Sequence, residues 1–290
     1  EKNMVALTIN TNLSSLNSQR VLELSRSQLG KSISRLSSGI RIEEAVDGSA
    51  ELALSESLRS DVRALQQGSR NLNDGLSLVR TAEGALSEVS SILIRLRSLA
   101  SQSANGTVGQ DERQTVNLEY QNLLAELDRI SSTTEFRGTN LLDGSLAAGA
   151  LEHLVLQLGI DSSSNNQIDL NTEIDLAEIS TAGLNLTGSN ITSQSSSFLA
   201  LNDLTTAIDT LIQTRSRFGS TQIRMTHAVN SINAQVENLQ AAESTIKDAD
   251  IAAEITELTK NQILVQAGAA MLGQANLIPQ AVLTLFEGVQ

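Results

Sequence analysis

A stripe of apolar residues with the seven-residue period of a long helix is the feature of this sequence that most constrains its fold. Every seventh residue of this stripe is apolar: Leu58, Leu65, Leu72, Val79, Leu86, Leu93 and Ala100. A second stripe, mostly with spacings of three and four residues, runs from Leu204 to Ile246. This period is typical of a helix that packs along another helix for its whole length. The first stripe predicts a rod about 65 Å long, at about 1.5 Å per residue.

Composition and charge narrow the possible functions. Aromatic residues make up 2% of the chain and proline occurs once, which favours helices packed by aliphatic side chains. The net charge is −13 and no Lys or Arg lies between Arg137 and Arg215, so the basic surface needed for nucleic-acid binding is missing. The absence of cysteine excludes disulfides and thiolate metal sites. No apolar run approaches the roughly 20 residues of a membrane span, and the first residues lack the apolar core of a cleaved signal peptide.

The period of the apolar residues divides the chain into helices and one β segment. Helices are expected over about 13–43, from about 51 to 104, from 111 to beyond 130, over 199–247 and over 248–290. Asn12 and Asp111 are the expected N-caps of the first and third helices. The fold class predicted is mainly α, with long antiparallel coiled-coil or bundle rods and a small β-hairpin region.

The β-hairpin is predicted from alternating apolar residues in the middle of the chain. Leu154–Ile160 and Ile168–Leu176 both alternate, and the polar residues 162–166 lie between them. In the second segment the intervening residues are Asp169, Asn171, Glu173 and Asp175, which predicts a solvated acidic face. The Ser/Thr-rich residues 180–197 are expected to be irregular.

The C-terminal region from Asp248 to Gln290 has apolar residues on nearly all sides of its expected helix. A helix that is apolar all round must be buried. We therefore expect this region to pack against the N-terminal helix and against other copies of the chain.

Several short motifs resemble those of bacterial flagellins. Leu36–Ile42, with the sequence LSSGIRI, is similar to the LSSGLRI signature of that family, and Ala6–Asn12 resembles its N-terminus. Asn73–Gly75 and Gln262–Gly268, followed by Gln274–Asn276 and Pro279-Gln280, match further signatures. The matches cover roughly residues 6–142 and 199–286 in the right order. After Arg41, however, residues 43–48 replace the Asn-Ser-Ala-Lys-Asp-Asp-like run usual in the family, and the centre is too short for large outer domains.

The resemblance implies a structural subunit that polymerises into the bacterial flagellar filament for motility. It implies export as an unfolded chain by the flagellar type III system and a secreted, flagellar location, extracellular or periplasmic in a spirochaete. The implied partners are other copies of the chain, an export chaperone and the export apparatus, the filament cap and the hook-junction proteins. A hook–filament junction protein of the same fold is the alternative. Three regions are expected: 1–47 with 248–290 as a coiled-coil inner core, 48–143 with 199–247 as a helical-bundle outer core, and 144–198 as hairpin and variable segment.

Two groups of residues are candidate binding sites. The apolar polymerisation seams comprise Leu22, Leu29, Ile33, Leu36, Ile40, Ile255, Leu258, Ile263, Leu264, Met271, Leu272, Val282 and Leu285. By resemblance, Arg95, Leu99 and Glu119 match the flagellin positions on which recognition by an animal Toll-like receptor depends. Subunit stacking is the alternative role for these three residues.

Catalysis finds no support in the sequence. His153 and His227 have no nucleophile or metal-ligand spacing beside them, and no phosphate-binding loop or hydrolase motif occurs. The alternating oxygens from Asp169 to Asp175 begin like a calcium loop, but Ile174 and Ser180 stand where glycine and glutamate are needed. We therefore expect no enzyme activity, no metal site and no cofactor.

Overall fold

The structure, a computed structural model, describes the backbone of residues 11–287 and the side chains of residues 11–277. Helices dominate it, as the apolar period predicts. In chain order the elements are α1 (Leu13–Ser38), α2 (Ser49–Ala104), α3 (Gln110–Thr133), β1 (Glu135–Phe136), β2 (Thr139–Asn140), β3 (Val155–Gln157), β4 (Gln167–Asp169), α4 (Leu170–Ile174), α5 (Gln194–Lys247) and α6 (Ile251–Glu287). The predicted fold class is confirmed. In the described part of the chain, no helix is long and apolar enough to cross a membrane.

The chain divides into two compact units. The terminal unit comprises residues 1–59 with 240–290, of which 11–59 and 240–287 are described, and the central unit comprises residues 60–239. Each is considered by itself below.

In the terminal unit, α1 and α6 form an antiparallel pair. The side chain of Asn12 donates to the carbonyl of Ala275 at 2.7 Å, while the N–H of Ala249 donates to the carbonyl of Gly39 at 2.9 Å. Asn12 is the N-cap of α1, as predicted, and accepts from the N–H of Ser15. The helix ends at Ser38 rather than near Glu43, because Gly39 adopts a left-handed φ of 72° and terminates it.

The interface between α1 and α6 is a heptad seam in which polar and apolar residues alternate. On α1 the seam residues, all buried or half-buried, are Ser15, Ser18, Leu22, Ser25, Leu29, Ser32 and Leu36. On α6 they are Glu254, Leu258, Asn261, Val265, Gly268, Leu272 and Ala275. Large side chains of one helix meet small ones of the other: a Cβ added to Gly268 would lie 3.3 Å from a methyl of Leu22. This complementary packing fixes the register of the pair.

The central unit has a continuous aliphatic core. From Leu65 to Ala100, every member of the predicted α2 stripe is buried, and Leu204, Leu211, Phe218 and Met225 of α5 join them. Tyr120, Leu124 and Leu127 of α3 add a third face. The start of α3 corrects one prediction: the helix begins at Gln110 with Gly109 as N-cap, so Asp111 lies in the first turn.

The predicted β-hairpin is present but shorter than expected. β3 and β4 pair antiparallel, with Leu156 opposite Ile168. The strand pattern after Asp169 is wrong, because residues 170–174 form α4, whose N-cap Asp169 accepts from the N–H groups of Asn171 and Thr172. The fully solvated acidic face is also wrong at Asn171. This side chain is buried, and its amide donates to the carbonyls of Ser145 and Ala147 while its oxygen accepts from the N–H of Leu154.

Two glycines let β3 lie against α2. A Cβ on Gly68 would come within 1.9 Å of the carbonyl oxygen of Leu158, and a Cβ on Gly75 within 2.3 Å of the Leu156 side chain. Because the two glycines are seven residues apart, they lie on the same face of α2.

A second short hairpin, β1–β2, turns at Arg137 and Gly138, whose φ angles are 52° and 83°. Sequence analysis missed that hairpin. Residues 180–193 form turns and irregular chain, as expected, but residues 194–197, also expected to be irregular, belong to the first turn of α5.

Candidate assembly surfaces

The α1–α6 pair separates the predicted polymerisation seams into two groups. Leu22, Leu29, Leu36, Leu258 and Leu272 lie in the seam between the two helices and are buried or half-buried there. A second group faces away from the pair and is exposed: Ile33, Ile255, Ile263, Leu264 and Met271. The side chains of the first group are therefore shielded from solvent within one chain, whereas those of the second group are exposed to solvent.

The other predicted seam residues have different positions. Ile40 is half-buried and forms a β-bridge with Asp248 beside the end of α1. The side chains of Val282 and Leu285 lie outside the described residues.

The outward apolar surface is larger than the sequence analysis indicated. Leu13, Leu16, Leu24 and Leu277 are also more than half exposed, and none of them was predicted as a site residue. These leucines face outward because the side of α1 that packs on α6 is formed partly by serines. A search for apolar residues does not detect those serines, so the sequence does not show which side of the helix is buried. Exposed aliphatic side chains that gather into a patch mark an interaction site in a soluble protein.

Ion pairs hold the segment that follows α1, where the sequence departs from the usual flagellin motif. The carboxylate of Asp47 lies 3.4 Å from the ammonium of Lys31 and 3.3 Å from the guanidinium of Arg35. Partial desolvation opposes ionisation of Asp47, but the N–H of Glu44 and these two cations hold its pKa below the usual value. Arg41 donates to the carbonyl of Ile246 at 2.7 Å. Through Asp47, the segment of residues 43–48 is held against α1 by ion pairs.

In the central unit, two of the three residues predicted for receptor recognition are brought together. The guanidinium of Arg95 donates twice to one carboxylate oxygen of Glu119, at 2.9 and 2.6 Å, across the surface of α2 and α3. Both side chains are exposed. Leu99 is 2% exposed and lies in the core beneath them.

Neither histidine belongs to a cluster of metal ligands in the described part of the chain. His153 contacts the carboxylate of Asp169 at 2.6 Å, and His227 is exposed on α5. Desolvation opposes ionisation of Asp169, yet hydrogen bonds from His153 and Thr172 lower its pKa overall. Among the described residues, no three His, Cys, Asp or Glu side chains are grouped so that they could hold a metal ion.

Comparison with protein families matches both ends of the chain. The profile described as the bacterial flagellin N-terminal helical region matches residues 9–147, and the profile of the C-terminal helical region matches residues 201–286. This chain belongs to the bacterial flagellin family. A flagellin of Halalkalibacterium halodurans is 42% identical over 281 residues, covering 97% of this chain and 100% of that protein. Flagellin FlaB2 of Treponema pallidum is 39% identical over 290 residues, with the same coverage.

Solved structures give a matching fold. A chain described as a flagellar hook-associated protein of Vibrio parahaemolyticus aligns with a TM-score of 0.56 and 14% identity, covering 70% of this chain and 100% of that one. At that identity the likeness concerns the fold alone. The two flagellin relatives, by contrast, are similar in sequence, at 42% and 39% identity over 97% of this chain. The protein is a structural subunit that polymerises into the flagellar filament, and the hook-junction alternative is not better supported.

Proposed function

We propose that the outward apolar residues of the α1–α6 pair are the surfaces that neighbouring flagellin subunits cover. Ile33, Ile255, Ile263, Leu264 and Met271 carry this proposal, because they are exposed although the seam beside them is complete within one chain. Leu22, Leu29, Leu36, Ile40, Leu258 and Leu272 act indirectly, by fixing the helix pair that presents this surface. Burying aliphatic side chains contributes about 1.5–3 kcal/mol for each one fully covered.

With the outward residues contacting neighbours and the seam residues holding α1 and α6 together, we propose three regions in the assembled subunit. Residues 1–47 with 248–290 would form the coiled-coil inner core, and residues 48–143 with 199–247 the helical-bundle outer core. Residues 144–198 would form the hairpin and variable segment. Val282 and Leu285 are assigned to the inner core from the sequence pattern alone.

Deleting residues 248–290 should abolish filament growth, because α1 then loses its partner and the larger part of the outward apolar surface is removed. The measurement is sedimentation of polymer after addition of filament seeds. A thermal melt followed by circular dichroism is the control, since the core of residues 60–239 contains none of the deleted residues. Seeded growth of the shortened chain at the normal rate would contradict the proposal.

Export and the remaining partners are proposed on the family and on the chain's chemistry. A chain without cysteine has no disulfide to break before it passes unfolded through the flagellar type III system. The export chaperone, the export apparatus, the filament cap and the hook-junction proteins are the partners this route requires. The subunit is then secreted, and it performs no catalysis and needs no cofactor.

We further propose that the surface around Arg95 and Glu119 is available to a Toll-like receptor in the free subunit. The exposed, doubly hydrogen-bonded ion pair supports this role, and buried Leu99 would support it by packing under α2. Alanine at Arg95 or Glu119 should lower potency in a receptor reporter-cell assay about tenfold or more, as for a charged residue central to an interface. The matched control is alanine at Arg129 or Glu126, which form another exposed ion pair on α3. Equal potency of all four variants would rule out this role.

A further inference from the structure

The turn that joins α2 to α3 contains the one Asn-Gly step of the chain, Asn105-Gly106. Both residues are exposed. Because glycine has no side chain, the backbone nitrogen that follows this asparagine is not crowded. Such a nitrogen can attack the side-chain amide of the asparagine, which closes a succinimide ring and releases ammonia. The hydrogen bonds of the turn decide whether the folded chain favours that reaction.

The side chain of Asn105 is folded along the turn toward the residues that follow it. Its Oδ1 accepts from the N–H of Thr107 at 3.2 Å, the bond by which asparagine side chains stabilise a turn. The ring closed by this bond contains both Cγ of Asn105 and the nitrogen of Gly106, so the two reacting atoms are held near each other. The N–H of Thr107 also points at the oxygen on which negative charge develops during the attack, and it stabilises that charge.

The peptide group that supplies the attacking nitrogen is activated by a cation. The guanidinium of Arg113 donates to the backbone carbonyl of Asn105 at 2.8 Å, and the N–H of Val108 donates to the same oxygen at 3.2 Å. This carbonyl and the Gly106 nitrogen belong to one peptide group. Both donors therefore stabilise the anion that forms when the nitrogen loses its proton. Within the described chain, the N–H of Gly106 donates to no acceptor, so solvent hydroxide can remove its proton.

We propose that Asn105 is a self-modification site, at which the folded subunit converts this asparagine to aspartate and isoaspartate. The deprotonated Gly106 nitrogen forms a bond to Cγ of Asn105, and the bond from Cγ to the amide nitrogen breaks. Ammonia leaves with a proton from water. A second water opens the succinimide: cleavage at Cγ gives aspartate, and cleavage at the backbone carbonyl carbon gives isoaspartate. The overall reaction consumes one water and releases one ammonia, so no oxidant is required.

This arrangement exists only when the central unit is folded. Arg113 also donates to the carbonyl of Ser103 at 2.8 Å, which fixes its guanidinium at the end of α2. The side chain of Gln194 donates to the carbonyl of Ala104 at 3.1 Å, and the hydroxyl of Ser103 donates to the carbonyl of Ile191 at 2.7 Å. Residues distant in sequence thus hold the turn in place. The activated reaction therefore begins when a subunit folds, and the fraction modified at residue 105 increases with the age of the subunit.

Rates of modification in folded and unfolded protein test this proposal. Unassembled protein is incubated at mildly alkaline pH with and without urea, and its peptides are analysed by mass spectrometry. Isoaspartate should accumulate at residue 105 about tenfold faster without urea, the effect of one hydrogen bond from a charged group. Asn230 is the internal control and should remain intact in the folded chain, because α5 binds the N–H of Ser231. An equal or faster rate in urea, or a product with aspartate alone, would overturn the proposal.

Substitution of Arg113 separates activation of the peptide group from simple ordering of the turn. Arg113→Met keeps the length of the side chain but removes its charge and its donors. The reaction in the folded protein should slow about tenfold, while the rate in urea stays the same. The matched control is Arg129→Met, at an exposed arginine of α3 that bonds to Glu126, and it should react at the normal rate. If Arg113 only ordered the turn, its loss would leave the rate unchanged or raise it, and that result would refute the activation.

Alanine at Gly106 tests the identity of the nucleophile. A Cβ there would meet only the side-chain nitrogen of Gln194, at 3.7 Å, so the fold accommodates it. The added methyl group crowds the attacking nitrogen, and modification of residue 105 should slow about tenfold or more, with and without urea, as expected when close approach of the reacting atoms is hindered. A normal rate in this variant would show that the Gly106 nitrogen is not the attacking group.

Discussion

Alanine at Gly68 should destabilise the central unit by about 3 kcal/mol, the cost of forcing an extra group into a packed site. The Cβ would lie 1.9 Å from the backbone carbonyl oxygen of Leu158. That oxygen belongs to the chain directly after β3, so it cannot move aside by a simple rotation as a side chain could. Either β3 shifts away from α2 or the helix bends. At about 2–4 °C for each kcal/mol in a unit of this size, the melting temperature should fall by roughly 6–12 °C.

The matched control is Gly84→Ala on the same helix. Gly84 is exposed and a Cβ there would meet nothing within 4 Å. Alanine should therefore raise stability by about 1 kcal/mol, the difference in helix propensity between the two residues. Thermal unfolding of the two variants as unassembled protein measures both effects. If Gly68→Ala melted at or above the temperature of Gly84→Ala, the close packing of β3 on α2 would be refuted.

The long helices and their core could be predicted from the sequence because their buried apolar residues recur at a constant spacing along the chain. From Leu65 to Ala100 the α2 stripe contains an apolar residue in every heptad, and each of them is buried. Local chemistry also gave the N-cap Asn12. Where the helix end depends on a single glycine conformation, as at Gly39, the apolar pattern carried the prediction a few residues too far.

The seam between α1 and α6 was only partly predictable, because half of its α1 side consists of serines. Ser25 and Ser32 are buried although they are polar, and their small size leaves room for the larger side chains of α6. A pattern read from apolar residues alone therefore assigned Ile33, which is exposed, to the same seam as Leu29 and Leu36. The direction in which each apolar side chain faces became clear only from the packed pair.

Hydrogen bonds from side chains to the backbone explain the remaining differences, one set local and one set between residues distant in sequence. Alternation of polar and apolar residues predicted a strand after Asp169, but this carboxylate caps α4 instead. Asn171 resembled a solvated residue in the sequence, yet its amide group satisfies backbone groups from three preceding loop positions. The bonds of Asn171 join residues distant in sequence, so no local pattern indicates them.

Alanine at both Ile263 and Met271 should raise the critical concentration for filament growth about a hundredfold. These side chains are 59% and 62% exposed in the single chain and lie outside the seam with α1. Covering them by neighbouring subunits stabilises only the polymer, so their truncation makes the free energy of association less favourable by about 3 kcal/mol. A tenfold change in an association constant corresponds to about 1.4 kcal/mol. Helix content of the unassembled protein should stay the same, because alanine is a good helix former.

The critical concentration of this variant is the most direct test of how the filament forms. It is to be measured by sedimentation after seeding, beside a control in which Gln262 and Gln274, two exposed polar residues of α6, become alanine. We predict about a hundredfold increase for Ile263→Ala with Met271→Ala and less than about threefold for the control, which loses little apolar area. If the apolar variant assembled at the same concentration as the unchanged chain, the outward face of the α1–α6 pair would not be the surface that neighbouring subunits cover.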